Sequence, residues 1–456
     1  MRTIRLACLA ALLLIAAAPA AAPPPRPLLA GDIEKLIQQM GDRNYALRDQ
    51  AERKLRAEGL TALPSLRKAI GHQDPEIRRR ALRMVPGLEH AALVAPKRIT
   101  MNLRNQTIAN ILAEVSKQSG YKVLYMDNGG FRPGMPAAPA KGIVDKRYSF
   151  TFVTAPFWDV IDKICRDSNM VLNNNWGDDA IRLSPAAGHS IHAGRDGAFR
   201  YSALNFQLNR NIDLSTSNAA MSGDGRADNL TFNFQLFAEP RLPFLTMGEV
   251  RVEAAYDSEK NSMLVPAIDD SNINNFNNMR WGGRRYYGGG GNKQMSMQAS
   301  VSLQRLSQKA TMLKELRGVI PVSLLVEQKP MPIAEKVLTA KGKKTLIGDL
   351  EFNVETVTKK PNNQFEIKFS IANKGNLNDY NWMNNIYQRL EMVDAKGEKY
   401  LNQGTNWHGS NGNSVTLTLT YGPNGKKMGD PDRFLFQHWV TRQHDIRFVF
   451  RDVPLP

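Results

Sequence analysis

Cysteine is almost missing from this 456-residue chain: Cys8 falls in the leading apolar run, and Cys165 is the only other one. Once the leading segment is removed no internal disulfide can form, so stability has to come from core burial. Cys165 lies beside Ile161 and Ile164 on a helical face, the setting of a small buried apolar residue and not of a reactive thiol. Catalytic signatures are missing too. The histidines His72, His90, His189, His192, His408, His438 and His444 occur in no HExxH, HxH or CxxC context, and the pair His189 and His192 has no third ligand nearby. There is no G-x-S-x-G elbow, no P-loop and no dinucleotide fingerprint after a strand. Asp224-Gly225-Arg226-Ala227-Asp228 offers loop oxygens without the alternating acids and bidentate Glu of a calcium loop, and reads as a turn. The candidate acids, such as Asp379 near Trp382 or Asp257 near Glu259, have no spacing that demands catalysis. The sequence therefore names no catalytic residue, no metal ligand and no cofactor, and leans away from an enzyme; a hydrolytic or carbohydrate-active site assembled from distant strands stays open.

Long apolar runs are also missing after the first twenty residues. There, Arg2 and Arg5 precede an apolar stretch from Leu6 to Ala18, and Ala18-Pro19-Ala20 supplies small residues for cleavage. The run is too short for a membrane span, which needs about 20 apolar residues. The expectation is a signal peptide over 1–20, a mature chain starting near Ala20/Ala21, and a periplasmic or secreted product without a transmembrane span. Acidic residues are outnumbered, with 60 Lys and Arg against 43 Asp and Glu, giving a formal charge of +17. For an exported chain that excess points to acidic envelope polymers, lipid head groups or acidic proteins, against the plainer reading of a diffuse solvated charge. Export puts most nucleic acid out of reach.

Two internal repeats follow. From Asp32 to Leu88 the offset is thirty: Ile33, Leu36, Met40, Leu47, Arg48, Ala51 and Leu55 answer Leu63, Leu66, Ile70, Ile77, Arg78, Ala81 and Val85. Each unit reads as helix, turn, helix, with Ile77, Ala81, Leu82, Val85 and Leu88 on one apolar stripe. Asp74-Pro75-Glu76 gives an N-cap, a first-turn proline and a negative charge at a helix start. This pattern, with its Asp-Pro-Glu-Ile-Arg-Arg-Arg-Ala-Leu run, resembles HEAT-type helical repeats over 31–90. Two units are fewer than the three or so that make a solenoid stable alone, so the pair is expected to lean on a partner or on the rest of the chain. Arg78, Arg79, Arg80 and Arg83 are candidates for an anion-binding strip; the plainer reading is the wet face of an amphipathic helix.

From Ile99 to Leu183 the offset is forty-nine. Ile99, Met101, Leu103, Ile108, Ile111, Leu112, Val115 and Gly120 match Tyr148, Phe150, Phe152, Phe157, Val160, Ile161, Ile164 and Asn169. Each copy alternates, switches to helical spacing, then returns to a strand, with a last short strand near Ala180 to Leu183. Gly120 and Asn169 are the residue types that best tolerate a left-handed helix C-cap. The repeat predicts two helices packed on one face of a small sheet. With Asn102-Leu103-Arg104-Asn105-Gln106-Thr107-Ile108 leading into Ile111-Leu112 and Ser119-Gly120-Tyr121, the segment 97–185 resembles the short N-terminal domain of secretins and TonB-dependent receptors. That resemblance implies a βαββαβ periplasmic module for protein contacts.

Beyond Gly197 short alternating strands dominate, as in Leu230 to Leu236, Phe365 to Phe369, Val415 to Leu419 and Asp445 to Phe450. Their spacing predicts two antiparallel β-sandwiches, 188–325 and 346–456, joined by a Pro- and Lys-bearing connector from Glu327 to Lys344. The stretch 269–292 combines Asn pairs, four consecutive glycines and Arg284, Arg285, Tyr286 and Tyr287, which are candidate contact residues in what otherwise reads as a disordered hairpin loop. The expected fold is multidomain α+β: helical hairpins, a small βαβ-repeat module, then two sandwiches. Such an arrangement is similar to that of bacterial envelope proteins. The expected role is a non-enzymatic exported adaptor acting through an envelope protein partner or an anionic envelope polymer.

Overall fold

The computed structural model describes residues 28–126, 146–173, 180–185, 191–212, 226–265, 293–305, 307, 309–375, 381–383, 386–424 and 428–456. The chain forms two compact units, 1–95 and 96–456, with helices early and mainly antiparallel sheets after them, the strands Val123–Tyr125 and Ile181–Pro185 being a parallel pair.

In the first unit α1 (Ala30–Gln39), α2 (Tyr45–Glu58), α3 (Leu63–Ala69) and α4 (Pro75–Val94) follow the thirty-residue repeat. The repeat reaches down to capping chemistry. Asn44 accepts from the Ala46 N–H, and Asp74, its equivalent, accepts from the N–H groups of Glu76 and Ile77. These bonds satisfy donors that a helix start leaves orphaned. Arg48 Nη1 donates to the Asp42 carbonyl at 2.8 Å, and Arg78 Nη1 donates to the His72 carbonyl at 2.8 Å. The repeated arginine thus ties each helix to the turn before it. Ile33, Leu36, Ala51, Leu55, Leu66, Ile77, Ala81 and Val85 share one core. Leu82, read as part of the apolar stripe, and Leu47, the repeat's match to Ile77, are outside it: Leu47 is 42% and Leu82 51% exposed. Leu82 is about 100° around the helix from Ala81, while Met84 and Val85 continue the buried line from Ile77. Leu47 stands one turn before Ala51, at the open end of α2 beside exposed Tyr45.

The second unit opens with the forty-nine-residue repeat: β1 (Arg98–Thr107), α5 (Ile108–Ser119), β2 (Val123–Tyr125), then β3 (Arg147–Pro156), α6 (Phe157–Ser168), β4 (Met170–Asn173) and the extra β5 (Ile181–Pro185). Its strands make two sheets, not the single one expected: β1 pairs antiparallel with β3, and β2, β5 and β4 form another in that order. The reason lies in the register. Asn102 pairs with its own equivalent Thr151, Met101 with Phe152 and Leu103 with Phe150, so the two copies are related by a local two-fold through the Asn102–Thr151 pair. First strands therefore pair with each other, and the later strands gather separately around β5. Equivalent positions share backbone strain too: Asn105 has φ 52° and Thr154 φ 47°, while the C-caps Gly120 and Asn169 have φ 74° and 53°. Leu112 and Ile161 are both buried in the common core.

The remaining strands are β6 (Ala193–Asp196), β7 (Phe199–Ile212), β8 (Arg226–Ala238), β9 (Phe244–Met247), β10 (Arg251–Asp257), β11 (Ser296–Leu303), β12 (Met312–Glu335), β13 (Lys344–Ile347), β14 (Leu350–Lys360), β15 (Gln364–Asn373), β16 (Leu390–Asp394), β17 (Leu401–Ser410), β18 (Ser414–Gly422) and β19 (Pro431–Pro454). Sheets run β11-β8-β7-β6, β10-β12-β19-β16 with β9 also on β12, and β13-β14-β15-β18-β17. The alternating strands read from sequence are all here, with Phe365, Ile367, Phe369, Val415, Leu417 and Leu419 buried on one face. Phe232 and Phe234 of β8 meet Phe450, and Phe234 also meets Phe448, at 4.9–5.3 Å between ring centroids. Near the other end of β19, Phe352 meets Phe436 at 5.0 Å and Phe369 meets Phe434 at 5.3 Å.

The connector expected over Glu327 to Lys344 is corrected by this pairing. Its first half, through Glu335, belongs to β12, which pairs with β19 from Met312↔Pro454 to Glu335↔Arg433. Residues 327–332 are exposed, which is why they read as a linker. Pro330 and Pro332 fit because β9 and β10 reach β12 no further than Leu324, leaving the strand an edge there.

Candidate binding cleft

A cleft of about 950 Å³ opens between α6 with β4 on one wall and the β6–β7 hairpin with β8 on the other. On α6, Phe157, Val160, Ile161 and Ile164 turn inward, so Asp159, Asp162, Lys163 and Arg166 fall on the opposite, wet face at spacings of three, four and seven. Across the cleft, Arg195 and Arg200 are direct partners in the hairpin. Like charges opposite one another on a sheet repel. They are held by the helix: Arg200 Nε donates to Asp162 Oδ1 at 2.7 Å, and Arg195 pairs with Asp159. Arg200 is only 7% exposed and stacks over Phe237 at 5.6 Å. The close approach of β6 to β7 requires Gly194, since a Cβ there would lie 2.5 Å from the Tyr201 ring.

The cleft thus has four cations, Lys163, Arg166, Arg195 and Arg200, against two acids, with Met170, Leu172, Ile191, Leu204 and Phe237 as apolar walls. Ile191 is 77% and Leu204 49% exposed. Cys165 is part of the floor, but burial, with the Asp162 charge adding to it, pushes its thiol up to about 12, so it is a protonated apolar filler at neutral pH. Sequence reading did not single out any of the charged residues here. The signal was a polar α6 face of Asp159, Asp162, Lys163 and Arg166 three to seven residues apart; the hairpin that meets it could not be foreseen.

Next to the cleft's back wall lies a sealed polar contact. Glu239, with no exposed surface, accepts from the Lys97 N–H at 3.0 Å, Tyr121 Oη at 2.7 Å and Arg241 Nε at 3.2 Å. Burial raises the Glu239 carboxyl above its ordinary range, against the pull of Tyr121, Arg241 and Lys97. Burial, then the Glu239 charge, likewise raises the Tyr121 phenol. The carboxylate joins the start of β1 and the end of α5 to the turn after β8.

The arginines nominated on α4 are largely committed to their own fold. Arg80 is 5% exposed and bonds Glu52 at 2.6 Å and Glu76 at 2.7 Å, Arg83 bonds Glu52 at 2.5 Å, and Arg79 pairs with Glu76 at 2.6 Å. Glu52 pays burial, which raises its carboxyl, yet the hydrogen bonds from Arg56 and Arg83 outweigh it and hold the group below its usual value. Arg78 serves the turn at His72. Arg79 and Arg83 remain 73% and 57% exposed, so the strip reduces to these two.

Arg284, Arg285, Tyr286, Tyr287 and the loop 269–292 lie outside the described residues, as do 1–20, Asp224, His189 and Asp379. Asp257 is buried and spends its oxygens on the N–H groups of Glu259 and Asn261 and on Asn261 Nδ2, closing a turn. Among the described residues no three His, Cys, Asp or Glu gather as metal ligands, and no helix is long and apolar enough to cross a membrane.

No family model matches the chain, and no curated protein matches it. A solved structure of a conserved domain protein from Bacillus anthracis is 8% identical, over 56% of this chain and 88% of that one, at a TM-score of 0.14. A likeness at that level carries no argument.

Proposed function

We propose that this chain is a non-enzymatic exported adaptor of the bacterial cell envelope, and that the cleft between α6 and the β6–β7 hairpin receives an acidic segment of a partner protein. In this reading the leader over 1–20 directs export, the helical hairpins are a HEAT-like pair, 97–185 is a contact module like those of secretins and TonB-dependent receptors, and the paired sheets are two β-sandwiches. The observation that carries it is the charge of the cleft. Asp159 and Asp162 are engaged by Arg195 and Arg200, which leaves Lys163 and exposed Arg166 as the surplus. Lys163 has Asp167 beside it at 2.8 Å, so Arg166 is the cation freest to meet an incoming carboxylate. The exposed Ile191 and Leu204 add apolar contact for the same ligand, in keeping with sites that join apolar walls to a few placed polar groups.

Polyglutamate is the probe. Arg166→Glu should weaken its binding at least tenfold, a change of about 1.4 kcal/mol. Lys344→Glu, an exposed site on β13 with the same change in net charge, should weaken it far less. Both measurements are made at one salt concentration, because exposed attractions are screened over roughly 8 Å at physiological ionic strength. Equal losses would reduce the attraction to bulk charge and end the reading of the cleft.

A further inference from the structure

We infer that the corner made by Arg389, Phe436 and Trp439 is a second binding site, independent of the cleft, and that it takes a single carboxylate group. The corner lies where β12 and β19 leave one packed layer and enter the next. Trp439 pairs with Gln328 in the exposed stretch of β12, and Phe436 with Met331. Arg389 ends the short helical turn Ile386–Arg389 that leads into β16. Its guanidinium carbon lies 4.2 Å from the Phe436 ring centroid and 4.9 Å from that of Trp439. Nε donates to the Gln437 carbonyl at 3.1 Å.

That geometry fixes the cation and leaves the Nη edge of its fork without a counterion among the described residues. The acid two positions on, Glu391, turns elsewhere: it accepts from Gln437 Nε2 at 2.7 Å and pairs with Lys399 at 2.7 Å. A second donor in the corner lacks an acceptor, since Trp439 Nε1 is buried with no hydrogen-bond partner among the described residues. Removing a cation from water without a partner is costly, which is why such groups are ordinarily paired. The cost is visible in Arg389 itself: burial pushes its guanidinium down to about 10. Arg389 is half-buried and not sealed, so a ligand can reach it.

The ligand class follows from shape and charge. Aromatic rings take the guanidinium face, so an anion must approach in the plane of the fork, where a carboxylate makes two parallel charge-assisted bonds. One cation neutralises one negative charge. A dianionic phosphate would bring a second charge into a half-buried corner with nothing to balance it. The carboxylate can belong to a small acid or to the end of a polypeptide; both offer the same two oxygens.

The test uses the full chain, with acetate titrated against chloride at matched ionic strength, read by tryptophan emission and by the melting temperature. Saturable responses to acetate are expected in both readouts. Arg389→Gln should abolish both, and Arg389→Lys, which keeps the charge and loses the fork, should weaken binding at least tenfold, guarding against a fold defect in the first variant. Trp439→Phe should remove the emission change and keep the shift in melting temperature. A short peptide with a free C-terminus, compared with its amide, separates the two sources: a stronger response to the free acid than to acetate assigns the site to a chain end, and an equal one to small acids. No response in the wild type up to about 100 mM acetate, weaker than any affinity of use, would overturn the site. So would an unchanged response in Arg389→Gln, or a phosphate response equal to that of acetate.

Discussion

Glu239 has no exposed surface and three donors around it, and its carboxyl nonetheless titrates above its ordinary value of 4.5 because burial outweighs them. The folded state therefore binds this proton more tightly than the unfolded chain does. The stability that the group contributes is complete below the unfolded value and is lost as pH rises through the folded one. In Glu239→Gln, which keeps the shape and cannot ionise, that loss is gone. Urea midpoints of wild type and variant, followed from about pH 4 to 8, should diverge, the wild type losing ground to the variant as pH rises. A constant difference across that range would show that Glu239 keeps its unfolded acidity. Single residues were the least legible level of this sequence. Arg78 to Arg83 read as a cationic strip because Glu52, which takes Arg80 and Arg83, lies some thirty residues away on another helix. The Arg48 and Arg78 match was already visible, and two arginines in identical places suggest a shared structural bond sooner than a ligand. Arg389 gave no signal, since its meaning depends on which acids point elsewhere.

Elements were far more legible, because periodicity and repetition are local. The offset of forty-nine placed Leu112 and Ile161 at equivalent core positions, and they are 2% and 0% exposed. Truncating either to Ala removes buried methyl groups and leaves a cavity, so each variant should lose about 2–5 kcal/mol in urea unfolding. A loss under about 0.5 kcal/mol in both, the size of an ordinary surface change, would contradict their place in the core. Even the capping residues Gly120 and Asn169 were readable, because a left-handed C-cap restricts residue type strongly. What the repeat could not show was that first strands pair with each other. Hydrogen bonding between copies leaves no mark on apolar alternation, so the pattern predicts one sheet where the fold has two.

At the scale of the whole second unit, the misread connector changes what the molecule can do. A linker between two sandwiches would let each unfold alone. Instead β12 and β19, 24 residues each, run side by side through both packed layers. Phe448 and Phe450 near one end of β19 hold the β8 face, while Phe434 and Phe436 hold the β14 and β15 face. Melting either layer would strip half of this ribbon of its apolar cover, and a two-stranded hairpin by itself is marginal in water. The two layers should therefore open as one cooperative unit. Phe450→Ala, at a site 2% exposed, should cost about 3–5 kcal/mol. Native-state hydrogen exchange can follow that loss in both places at once. The amides of Phe234, beside the mutation, and of Phe369, in the other layer, should lose protection by the same free energy. Unchanged protection at Phe369 would mean that the shared strands do not couple the layers, and that the exposed stretch 327–332 behaves as the linker its composition suggests.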